Sequence, residues 1–129
     1  MTDQDLSQEL QQRVQAAAAV GTQLCIRGAD TKRFYGREPV GEPLEVAGHR
    51  GILSYEASEL VITARAGTPL DEIEQALAAQ GQMLPFEPPH FGPGATIGGA
   101  VASGLAGPRR PWGGAPRDLL LGVKLLDGN

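Results

Sequence analysis

The chain has 129 residues, 41% of them hydrophobic and 20% charged, so one soluble globular domain at most is expected. A formal net charge of -4 and a pI of about 5.1 argue against a nucleic-acid binder, and no apolar run is long enough to cross a bilayer. The single Cys25 excludes an internal disulfide and a cysteine metal cluster, and the Met1 end lacks a basic-then-apolar leader, so the expected location is cytoplasmic.

In chain order, the first element is a helix. Leu6, Leu10, Val14, Ala17 and Ala18 share one face, with Thr2 or Asp3 as the cap at its start and Gly21 at its end. Gln23 to Ile26 reads as a short buried strand that runs into the polar turn Arg27-Gly28-Ala29-Asp30-Thr31-Lys32. Phe34 to Gly48 reads as loop, punctuated by Pro39, Gly41 and Pro43. Ile52 to Tyr55 and Leu60 to Ala66 are the next strands, the second carrying β-branched Val61, Ile62 and Thr63. After Gly67, Thr68 is the expected cap of a helix with Pro69 at its first position and Leu70, Ile73 and Leu77 on its buried face, closed by Gly81. A short strand over Met83 to Phe86 would complete a strand–helix–strand crossover with parallel pairing. Residues 1–90 therefore read as a small α/β layer.

Pro88-Pro89 then interrupts regular structure, and eight of the 18 glycines fall between Gly92 and Gly114. Leu119 to Leu126 reads as a strand leading into Asp127-Gly128, a hairpin signal. A chain that enters a hairpin and stops lacks the partner strand, so a domain cut short is the expectation. There is no internal repeat.

Two segments have the chemistry of an anion site. A turn holding Gly28 and Ala29 exposes successive backbone N–H groups, Thr31 adds a hydroxyl and Lys32 a charge, which together suit a pyrophosphate. Short glycine turns are common, so on these residues alone an ordinary polar connection is the first reading. The second segment, Ala95 to Gly104, is different. Gly98 and Gly99 allow a ligand to lie on the main chain, and Thr96 and Ser103 offer hydroxyls. Ile97, Val101 and Leu105 fall at helical spacing, so a short helix should begin at the glycines and offer its N-terminus to an anion. A disordered linker would lack that spacing.

Other candidates favour structural roles. Arg109, Arg110 and Trp112, followed by Arg117-Asp118, offer cations for phosphate, but a solvated loop with a local ion pair explains them as well. His49 and His90 stand in Pro/Gly contexts without a nucleophile or carboxylate at a telling spacing, so no catalytic base and no metal site is assigned. Cys25 reads as core. The segment Gly92-Pro93-Gly94-Ala95-Thr96-Ile97 fails the G-x-G-x-x-G pattern at its last position, and no P-loop is present.

In order, the runs Gly51-Ile52-Leu53-x-Tyr55, Glu59 to Leu70, Leu77-x-x-x-Gly81-Gln82-x-Leu84-Pro85-Phe86-Glu87-Pro88-Pro89, Ala95 to Gly99, Gly107 to Arg110 and Gly114-x-x-Arg117-Asp118-x-x-Leu121-Gly122 resemble the FAD-linked oxidase N-terminal domain. This is the vanillyl-alcohol-oxidase or p-cresol methylhydroxylase (PCMH) type. Within it the resemblance is to the FAD-binding subunits of bacterial glycolate oxidases, and it covers the chain from Leu24 onward.

The resemblance implies an α/β fold of α+β character. Residues 1–90 would form a first subdomain with a small, mostly parallel sheet, and residues 91–129 the Gly-rich segment and the start of a second. It implies FAD bound by Gly28, Ala29, Asp30, Thr31 and Lys32 at the pyrophosphate, and by Pro88, Thr96, Gly98, Gly99, Ala102, Ser103 and Gly104 along the cofactor. Some members attach FAD through a histidine beside the first glycine turn. Ala29-Asp30 stand there in this chain, so non-covalent binding is implied. The implied activity of the parent is oxidation of a small 2-hydroxy acid such as glycolate, with a second flavin subunit and an iron–sulfur subunit as partners and peripheral inner-membrane contact through them. The fragment alone is expected to be inactive. Alternatives from other classes are a non-catalytic assembly subunit of the same fold and a relative of the UDP-sugar reductases.

Overall fold

The computed structural model describes residues 3–129, so Thr2, one of the two expected caps, lies outside the described residues. Helix α1 spans Ser7–Val20 and ends at Gly21, whose left-handed backbone (φ 71°) lets it donate back to the last turn. Asp3 does not cap this helix. The cap position is Leu6, and the Asp5 carboxylate accepts from the Ser7 N–H at 2.9 Å. Leu10 and Ala17 are its buried residues.

Strand β1, Leu24–Arg27, pairs in parallel with β2, Glu42–Glu45. β2 falls inside the stretch expected to be loop. Pro43 obscured it, and a two-stranded sheet explains why proline is tolerated, since each strand has a free edge where a missing N–H costs nothing. The Pro43 carbonyl is not idle and accepts from Arg13 Nη2 at 2.8 Å. Residues 28–41 make the crossover between these strands without a helix.

Strands β3, Ile52–Glu56, and β4, Val61–Ala64, form an antiparallel hairpin through the 3-10 turn Ala57–Glu59 and Leu60 at φ 59°. One pair is therefore parallel and the other antiparallel, in two separate two-stranded sheets, so the class is mixed α/β as expected but the small, mostly parallel sheet is not formed. Gln82 braces the hairpin, accepting from the Tyr55 hydroxyl and donating to the Ala57 carbonyl.

Helix α2 spans Leu70–Ala78 and buries Leu70, Ile73 and Leu77 as the spacing requires. Its cap residue is Pro69, not Thr68. Thr68 is fully buried, and its hydroxyl lies 2.7 Å from the Arg65 carbonyl and accepts from the Gly51 N–H at 3.0 Å, so it ties β3 to the turn that leads into the helix. Met83 to Phe86 forms no strand, and the strand–helix–strand crossover is not made. Leu84 instead packs on the small core cluster of Leu70, Ala95 and Ala100, joined by Ile97.

Helix α3, Ile97–Ser103, is followed by the single turns α4, Arg110–Gly113, and α5, Pro116–Leu119. The strand expected over Leu119 to Leu126 is absent. With no neighbouring strand among the described residues, its backbone groups have no ladder to join, and Leu121 and Leu125 stay exposed.

A basic cleft between a glycine turn and a small-residue helix

Gly67 and Gly98 fix the frame. A Cβ on Gly67 would stand 2.3 Å from the Val46 carbonyl oxygen, and one on Gly98 would stand 2.7 Å from that of Ala66. Only glycine permits these approaches. They let the start of α3 dock on the β4–α2 turn through Ile97 N–H to Thr68 O (2.9 Å) and Gly98 N–H to Ala66 O (2.8 Å), while Leu70 N–H donates to Ala95 O (2.7 Å). Thr96 caps α3, its Oγ1 accepting from the Gly99 N–H at 3.1 Å.

The consequence reverses the sequence reading of the two segments. The first N–H groups of α3 are consumed inside the protein, so this helix start is not the free anion site expected. The turn after β1 is the one left open. The N–H groups of Gly28, Ala29, Asp30, Thr31 and Lys32 donate to no backbone carbonyl among the described residues. Gly28 packs so closely on Thr96 that a Cβ there would stand 2.8 Å from Thr96 Oγ1. The two segments thus meet at one place.

Their meeting forms a cleft of about 310 Å³. Of the residues expected to hold a cofactor, Gly28, Ala29, Asp30, Thr31, Lys32, Thr96, Gly99, Ala102 and Ser103 line it. Pro88, Gly98 and Gly104 do not. Gly98 is turned to Ala66, and Gly104 closes α3 with a left-handed backbone at φ 67°. On α3, Gly99 and Ala102 offer a wall with little side chain, and the Ser103 hydroxyl is occupied with the Ala100 carbonyl at 3.1 Å.

The cleft has the opposite charge from the molecule. Arg27, Lys32, Arg33 and Arg37 line it against the single carboxylate of Asp30, in a chain of net charge -4. Arg33 is partly offset by Asp30 at 3.5 Å and Arg27 by Glu45 at 3.9 Å. Lys32 has no such partner among the described ion pairs, and burial pushes its pKa below the ordinary value. A buried Nε of Arg27 also has no hydrogen-bond partner among the described residues. An anion in the cleft would give Lys32 a charge partner. Arg37 was missed because it sits in the stretch read as loop, and Arg33 because it falls between that stretch and the polar turn. The available signal was cation density, as residues 32–37 hold Lys32, Arg33 and Arg37 in an acidic chain.

The remaining candidates have structural partners. Arg109 Nε bonds Glu87 Oε1 at 2.8 Å, and the Asp118 carboxylate accepts from the Ala115 N–H at 3.2 Å. Trp112 is 86% exposed and does not line the cleft. His49 Nδ1 accepts from the Leu6 N–H at 3.1 Å, pinning the start of α1, and burial lowers its pKa. Cys25 is buried in β1, as a core residue should be, and its strand also forms part of the cleft wall. His90 does not stand alone. Asp71 lies 3.4 Å from one ring nitrogen and Glu74 3.3 Å from the other, a juxtaposition that the linear spacing conceals.

Comparison with known proteins gives the family. The family model described as FAD binding domain matches residues 6–129. Glycolate oxidase subunit GlcE of Escherichia coli (strain K12) is 55% identical over 124 residues, which are 96% of this chain and 35% of that protein. The chain thus spans about a third of the length of the curated relative it matches. No solved structure matches it. Among the described residues, no helix is long and apolar enough to cross a membrane.

Proposed function

Since this chain belongs to the FAD binding domain family, we propose that it forms the pyrophosphate-holding half of the flavin site in a subunit that serves oxidation of a small 2-hydroxy acid, glycolate being the first candidate. The observation that carries this reading is the open turn at Gly28–Lys32, whose N–H groups meet no backbone carbonyl among the described residues, beside a partly buried Lys32. Five successive amides and an ammonium fit a doubly charged pyrophosphate better than a neutral ligand.

FAD, when bound, supplies the electron-accepting chemistry, and the protein supplies position and field. Gly28 lets the turn lie against Thr96, where a Cβ would collide with its hydroxyl. Thr31 adds a hydroxyl donor, and Asp30 holds Arg33 near the rim. Gly99 and Ala102 leave the α3 wall low enough for a flat ring system to approach the backbone. No histidine lines the cleft among the described residues, and Ala29-Asp30 occupy the place beside the first glycine, which supports non-covalent binding. The naming of glycolate and of partner subunits rests on the 55% identical relative, whose name describes a glycolate oxidase subunit. A second flavin subunit, an iron–sulfur subunit and peripheral inner-membrane contact through them belong to the same proposal. No residue of this chain is assigned as the catalytic base.

The test is glycolate-dependent reduction of a dye acceptor by the assembly that the tagged chain draws from its own cells. Activity that falls with Lys32→Ala supports the reading. An assembly that reduces the dye equally well with Lys32→Ala and Gly28→Val contradicts it, and would favour a non-catalytic assembly role for the fold.

A further inference from the structure

We propose that Asp71, Glu74 and His90 form a binding site for a divalent metal ion of the zinc class, apart from the cleft and independent of the flavin reading. Asp71 and Glu74 stand three residues apart on α2, so both carboxylates project from one face. His90 crosses that face from the segment after Pro88-Pro89. None of the three residues lines the cleft.

The geometry around the imidazole is the reason to expect a cation. Nδ1 lies 3.4 Å from Asp71 Oδ1, and Nε2 lies 3.3 Å from Glu74 Oε1. A neutral imidazole has one N–H donor and one lone pair. That lone pair is open to a metal ion, with a carboxylate on either side of the ring to share it.

The arrangement suits the metal. The three residues can each present one ligand atom, all within 4.8 Å of one another. Ligand atoms about 2 Å from a tetrahedral zinc lie about 3.3 Å apart, so modest side-chain rotation closes the site. One imidazole and two carboxylates form a ligand set that zinc accepts, and two negative charges balance the ion. The side chains are 60%, 42% and 34% exposed for Asp71, Glu74 and His90, which leaves a fourth position open to water. Bound there, the ion would fasten α2 to the segment that leads into Thr96.

The experiment is calorimetric titration of the chelator-stripped protein with Zn(II), alongside thermal unfolding with and without the ion. One saturable site and a raised unfolding midpoint are expected. Glu74→Gln and His90→Gln should each weaken binding by more than about tenfold while keeping the wild-type circular dichroism. Imidazole proton NMR of the wild type needs no variant. Zn(II) should shift the His90 resonances and leave those of His49 in place. No saturable binding, or binding that survives both substitutions or leaves His90 unshifted, would overturn the proposal and leave the cluster as a surface polar contact only.

Discussion

Lys32 is the residue on which the cleft depends most. Like Arg37 it has no carboxylate partner among the described ion pairs, and burial already disfavours its charge. A charge-assisted hydrogen bond to phosphate contributes about 1.5–3 kcal/mol, so Lys32→Ala should weaken FAD binding by about tenfold to about a hundredfold. Equilibrium titration of the two proteins checks this. Gly28 acts by what it lacks. Its substitution to Ala would place a methyl 2.8 Å from Thr96 Oγ1, so the turn must move off α3 and affinity for FAD should fall even though every charge is kept. Asp5 is a different kind of residue, remote from the cleft. Hydrogen bonds from Ser7 hold its pKa down from 3.8 to about 2, with a smaller contribution from Arg65. A carboxylate with a depressed folded-state pKa stabilises the fold above its unfolded value and loses that contribution as pH falls through the folded one. Wild type should therefore lose thermal stability between pH 3.8 and about 2 in a step that Asp5→Ala lacks.

At the scale of elements, legibility followed how local the cause was. Helix α2 was readable because Leu70, Ile73 and Leu77 recur at helical spacing. Gly21 was readable as the end of α1 because a left-handed cap favours glycine at that one position. β2 was not, since Pro43 forbids a central strand and only the two-stranded sheet makes it harmless. Met83 to Phe86 and Leu119 to Leu126 have strand-like composition, but a strand needs a neighbour, and composition says nothing about neighbours. The open turn was legible as a candidate, but the closed helix start was not, because the partners of the α3 amides, Ala66 and Thr68, lie some thirty residues earlier in the chain. That docking predicts a substitution effect of its own. Gly98→Ala would press a methyl to 2.7 Å from the Ala66 carbonyl oxygen and should destabilise the fold by about 1–3 kcal/mol, measured by denaturant unfolding. Gly98 does not line the cleft, so any loss of FAD affinity should follow that loss of stability rather than precede it.

Over the whole molecule, charge is the feature that separates the cleft from its surroundings. The chain carries a net charge of -4, yet the cleft gathers four cationic side chains around five unengaged amides. Part of the attraction is therefore solvent-exposed charge, which salt screens over about 10 Å at 0.1 M ionic strength. The amides and Lys32 are in contact range of a ligand and are screened less. The family follows from the ordered set of motifs across the chain, and the comparisons bear that out. The most direct test of the central claim, that the turn at Gly28–Lys32 and the α3 wall hold FAD, is a titration of the folded chain with FAD followed by flavin fluorescence. The expected result is saturable, one-to-one quenching that Lys32→Ala and Gly99→Val each weaken, with all flavin released on denaturation. A flat response from a folded wild-type chain, or binding that both variants leave unchanged, would contradict the account.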